Sequence, residues 1–125
     1  MTHSAEIKKS ADLLADAASA LTRSIAGATY TIHDGQTPAY ILGNLTSATH
    51  EIEEVLEQLS KWHSAHSAHA LDEAGICTTG AIQAVKTATV LTEAAKTMDQ
   101  ANDQIMQALS LTNQTIWQIP KGVPA

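Results

Sequence analysis

The chain is expected to be all-α, an antiparallel up-down-up three-helix bundle with two long coiled-coil-like helices, completed by dimerisation. Three observations point there. Small and apolar residues recur at alternating steps of three and four along most of the 125 residues, as in Leu45, Ala48, Ile52, Val55, Leu59, Trp62 and again in Ala81, Ala84, Ala88, Leu91, Ala95, Met98, Asn102, Ile105, Leu109. Such steps put one stripe on one side of an α-helix, and over several heptads they mark helices lying along one another. The composition is 44% hydrophobic but only 3% aromatic, with no Phe, so contacts must be made by Ala, Leu, Ile and Val. The rhythm breaks only where Gly, Pro and Asp-Gly cluster.

A first helix is expected over about 4–26. Its stripe is Ile7, Ala11, Leu14, Ala18, Leu21, Ile25, with Ser4 as cap, Glu6 in the first turn and Gly27 to end it. Residues 28–36 interrupt the periodicity. Tyr30 and Ile32 alternate with polar neighbours and Asp34-Gly35 is a turn signal, which leaves room for a short extended segment. The second helix, about 37–70, opens on Thr37 as cap and Pro38 at the first helical position.

The reversal falls in 71–80, where Asp72, Thr78 and Thr79 can cap and Gly75 and Gly80 can break. Because the heptad phase survives across this stretch, a bent continuous helix is the alternative. The third helix, about 73–118, ends before Pro120, which disfavours helix at the residue preceding it. One domain therefore occupies 1–119 and a tail 120–125. At 1.5 Å per residue the three helices measure roughly 34, 50 and 60 Å, so the first cannot cover the whole hairpin of the other two. The uncovered apolar seam implies a homo-oligomer or a helical protein partner. Its expected contact residues are Leu59, Trp62, His66, Ala81, Ala84, Ala88, Asn102 and Trp117. Trp62 is placed in the core, and Trp117 in the core, at an end of the bundle or against a partner. Asn102, a polar residue on the seam, is of the kind that fixes register.

The formal charge of −6 and the scattered Lys and Arg residues argue against a nucleic-acid partner. No apolar run reaches the ~20 residues of a membrane span. The start carries no basic-then-apolar leader pattern, so the cytoplasm is the expected compartment, with signal-independent export left open. Cys77 has no second cysteine to pair with and falls on the stripe, as a small buried residue would.

Two clusters bear on chemistry. His63, His66 and His69 stand three apart, and adjacent pairs can share a metal ion. Were the helix continuous, His66, His69, Glu73 and Cys77 would offer a face for zinc. Several imidazoles near one seam can also act as a pH switch, and a polar helix end is the plain alternative. The second cluster is Glu51, Glu53, Glu54 and Glu57. His50-Glu51-Ile52-Glu53-Glu54 lacks the second His of the zinc-protease helix.

Glu53-Glu54-Val55-Leu56-Glu57 resembles the Glu-Glu-x-x-Glu element of all-α nucleotide pyrophosphohydrolases of the MazG type. That resemblance implies magnesium held by helical carboxylates and water attack on a phosphoanhydride. It covers five residues. The second Glu-x-x-Asp pair of that family is missing, since Glu93 is followed at three by Lys96, with Asp99 and Asp103 beyond.

In outline the chain also resembles the small Ala-rich helical proteins secreted by bacterial type VII systems. This is a likeness of shape, because the Trp-x-Gly turn of that family is replaced by Trp62-His63-Ser64. With no Gly-rich phosphate loop and no paired nucleophile and base, the expected function is a non-enzymatic helical interaction or assembly module without a cofactor. A zinc- or magnesium-dependent protein is the alternative.

Overall fold

A computed structural model of the chain describes residues 2–28 and 32–120, and these divide into two compact units, 1–34 with 117–125 and 35–116. The order is α1 (His3–Ala28), α2 (Gln36–Ala65), a single 3-10 turn (Ser67–His69) and α3 (Cys77–Asn113). There is no strand among the described residues. The extended segment expected around Tyr30 and the tail beyond Pro120 lie outside the described residues.

The first unit is built on α1. Its cap is Thr2 rather than Ser4: the Thr2 hydroxyl accepts from Ala5 N–H at 3.2 Å and the Thr2 carbonyl from Glu6 N–H at 3.1 Å. Gly27 lies inside the helix, which runs one residue further. No residue of α1 is buried, and Ile7, Leu13, Leu14 and Leu21 are all exposed.

The second unit is a hairpin in which α2 and α3 pack along each other. Two cross-helix hydrogen bonds set an antiparallel register. The Thr49 hydroxyl donates to Asn102 Oδ1 at 2.7 Å, and the Ser60 hydroxyl to the Ala88 carbonyl at 2.7 Å. What lies between the helices is small. Among the described residues only Ala88 (5% exposed), Ala95 (2%), Ser60 (9%) and Gly80 are buried. Methyl-sized and hydroxyl groups let the axes come close, and close-packed interiors gain dispersion contacts at short separation. The cost is that no large apolar side chain is fully enclosed.

The seam on α3 has the expected phase, with Ala81, Ala84, Leu91, Met98, Asn102, Ile105 and Leu109 half-buried around Ala88 and Ala95. On α2 the phase differs beyond Ile52. The inward positions are Thr49, Ile52, Leu56, Ser60 and His63, so the contact line is turned by about one residue, roughly 100°. Val55, Leu59 and Trp62 therefore face out, and Trp62 is not a core residue.

The chain reverses between α2 and α3, so the two helices are not one bent rod. The turn is held by Asp72. Its carboxylate accepts from Ala74 N–H at 2.9 Å and Ile76 N–H at 2.8 Å, its carbonyl from Gly75 N–H at 2.9 Å, and its own N–H donates to the Ile76 carbonyl at 3.1 Å. Gly75 takes φ +81°, the left-handed conformation that a side chain disfavours. Gly80 does not break a helix. It sits in the first turns of α3, where a Cβ would meet the Ala70 carbonyl and fall 2.5 Å from Leu71 Cα. Its missing side chain is what lets the returning backbone lie on α3. At the other end α2 starts at Gln36 with Gly35 as its cap and no side-chain cap bond, each two residues ahead of the expected Pro38 start and Thr37 cap.

Candidate functional site

The hairpin's closed end carries the densest group of chemically versatile side chains. The last turns of α2 project Trp62, His63 and His66, and the 3-10 turn brings in His69. With Ala70, Leu71, Gly80, Gln83, Ala84 and Thr87 these residues line an open recess of about 410 Å³. His66 stacks on the Trp62 indole at 4.5 Å between centroids and 24° between planes, while His63 meets the same indole edge-on at 5.0 Å and 77°. His69 tilts toward His66 at 6.2 Å.

Each of the two α2 imidazoles is tied to the main chain one turn earlier. Nδ1 of His63 donates to the Leu59 carbonyl at 2.7 Å, and Nδ1 of His66 to the Trp62 carbonyl at 2.8 Å. A carbonyl oxygen has two lone pairs, so the Trp62 carbonyl accepts the imidazole beside the His66 N–H it already receives at 3.1 Å.

The residues of the expected metal face are separated by the reversal. His66 caps α2, His69 ends the 3-10 turn, Glu73 is exposed in the turn held by Asp72, and Cys77 opens α3. The i, i+4 ladder from His69 through Glu73 to Cys77 needed an unbroken helix, and that helix stops at Ala65. Cys77 is exposed rather than buried. Among the described residues no three His, Cys, Asp or Glu side chains are grouped to hold a metal ion.

The acidic cluster lies midway along the hairpin. Glu53 is half-buried toward α3. Desolvation raises its carboxyl above its ordinary value, Asp99 across the hairpin adds to the rise, and Glu57 and Glu54 contribute, with His50 acting the other way. Carboxylates of the second and third helices do therefore come near each other. The antiparallel register set at Ser60 and Thr49 brings Asp99, not a Glu-x-x-Asp pair, to Glu53.

The third feature is apolar. Val55 (51% exposed), Leu59 (43%) and Trp62 (55%) stand four and three apart on one face of α2 and run into the recess through Trp62. On α3, Ile82 and Val85 are also exposed, beside Ala81 and Lys86. Of the expected contact residues, Leu59, Trp62 and His66 are outward. Ala81 and Ala84 are half-buried, and Ala88 lies inside the hairpin. Asn102 is half-buried and bonded to Thr49. Trp117, in the first unit, is half-exposed.

Ser60 and Gly80 are the structural determinants that periodicity missed. Neither is apolar enough to register as a seam position: Ser60 lies with Leu56 on the line turned from the expected stripe, and Gly80 stands one turn before Ala84.

Comparison of the chain with protein-family models, with curated proteins and with solved structures finds no match. No helix among the described residues is long and apolar enough to cross a membrane.

Proposed function

We propose that this protein is a non-enzymatic helical interaction and assembly module that works through helix–helix contacts. The observation that carries the proposal is the outward stripe Val55, Leu59 and Trp62 on a hairpin whose interior holds only Ala, Ser and Gly as buried residues. A fold that encloses alanines and leaves its larger apolar groups in water gains little from its own core. Burying a Val, Leu or aromatic side chain supplies roughly 1.5–3 kcal/mol each. A second helical surface laid on that stripe recovers this, and contiguous exposed apolar area is the usual mark of a partner surface.

In its fuller form the proposal has α1 as the third helix of an up-down-up bundle, contributing Ile7, Leu14 and Leu21, and a second copy of the chain closing a four-helix section. It holds equally for a cytoplasmic and an exported module.

Size-exclusion chromatography with light scattering on the full chain tests it. The expected result is a mass of two or more chains, reduced to one by Leu59→Glu with helical circular dichroism retained. A helical monomer across a wide concentration range, unaffected by Leu59→Glu and capturing no helical partner, would count decisively against it.

A further inference from the structure

We infer that the closed end of the hairpin binds a borderline divalent transition cation, with Zn²⁺ as its representative, through Nε2 of His63 and Nε2 of His66. The ligand pair is chosen by the hydrogen bonds already present. A backbone carbonyl can only accept, so the 2.7 Å contact to Leu59 and the 2.8 Å contact to Trp62 place the proton of each neutral ring on Nδ1. The lone pair of each ring is then on Nε2, the atom at its far edge. Among the described residues neither Nε2 has a hydrogen-bond partner. An imidazole whose second nitrogen donates to a carbonyl is the arrangement found behind metal-ligating histidines, where it fixes the tautomer and raises ligand basicity.

Spacing and surroundings agree with this. Residues three apart on a helix are surface neighbours, roughly 5–6 Å between Cβ atoms. Both rings contact one indole and line one recess, so they are steadied on the same side of α2. His69, 6.2 Å from His66, does not group with the pair as a third ligand, and water completes the remaining positions at the open recess. Asp72 is not a candidate ligand because its carboxylate already accepts two backbone N–H groups. The site differs from the ladder of His69, Glu73 and Cys77 in that it needs no helix beyond Ala65. It is independent of the assembly function, since a monomer carries all of it.

The test is calorimetric titration of ZnCl₂ into the full chain carrying His3→Ala, with histidine ¹⁵N spectra recorded on the same samples. The expected result is one Zn²⁺ per chain, bound with proton release, with the Nε2 resonances of His63 and His66 shifting on loading. His63→Gln and His66→Gln should each weaken binding at least about tenfold, the lower bound for losing even an outer-shell partner of a ligand. His50→Gln should leave it unchanged. Circular dichroism melts of each variant confirm that the hairpin is intact. Absence of a binding heat, metallation at Nδ1, or undiminished binding in a folded His63→Gln/His66→Gln double variant would each overturn the inference.

Discussion

Ser60 of α2 donates a 2.7 Å hydrogen bond to the carbonyl of Ala88 on α3, and Thr92, one turn past Ala88, stands 2.8 Å from the same hydroxyl while donating to the same carbonyl at 3.1 Å. Two hydroxyls and one carbonyl thus form a small polar knot at the narrowest point of an otherwise alanine-lined contact. Ser60→Ala should cost about 1 kcal/mol, the usual net worth of one such bond, because Thr92 still satisfies the carbonyl. Ser60→Leu should cost more, about 1–3 kcal/mol, by forcing the axes apart. Urea unfolding of the two variants checks both the sign and the order.

Glycine substitutions should split in direction by position. At Gly80 an added Cβ meets the backbone of Ala70 and Leu71, which has no rotamer to yield. Gly80→Ala should therefore destabilise by about 1–3 kcal/mol even though Ala is the better helix former. At Gly43, also helical, nothing lies within 4 Å of the same Cβ, and Gly43→Ala should stabilise by about 0.4–1 kcal/mol. Thermal melts of the two single variants decide it. A stabilising Gly80→Ala would mean that the loop does not rest on α3 as described.

The Thr49–Asn102 bond joins the far part of the hairpin. The Thr46 carbonyl, 3.0 Å from the same hydroxyl, is an alternative acceptor for its one proton, so Thr49 keeps a partner when Asn102 is removed. A double-mutant cycle of Thr49→Val and Asn102→Ala should give a coupling of about 0.5–1.5 kcal/mol. A coupling near zero would show that this bond does not hold the register.

Glu53 makes stability depend on pH. Its carboxyl is raised in the folded chain by desolvation and by Asp99, so the folded state holds that proton more tightly than the unfolded state does. Stability from this group is therefore greatest at low pH and falls as pH rises through the carboxylate range. Glu53→Gln should raise Tm at neutral pH, and the gain should vanish below the ordinary Glu value of about 4.3. Melts of wild type and Glu53→Gln from acid to neutral pH check this, and a gain that persists in acid would assign the effect to packing instead.

Much of this fold was legible in the chain because helices write their period into sequence. The stripe from Ala81 through Leu109 marks the inward face of α3, and the cluster of Gly and Asp in 71–80 marks the reversal. On α2 the three-four rhythm runs from Ile52 to Val55, Leu59 and Trp62, whereas the hairpin closes on Thr49, Leu56, Ser60 and His63, a line that polar residues interrupt and that periodicity therefore does not mark. The histidine run was visible as a run, but not the tautomers that single out His63 and His66, since these depend on which carbonyls lie one turn back from the helix end.

Helical character, the places of the long helices and their meeting through small residues are written in the residue pattern alone. Which side of α2 turns inward, and how the reversal is held, come from the packing of α2 on α3. Local periodicity is a property of one helix, but the line along which two helices touch depends on how closely both backbones can approach. At that distance a serine, an alanine and a glycine fit where a leucine or a tryptophan does not.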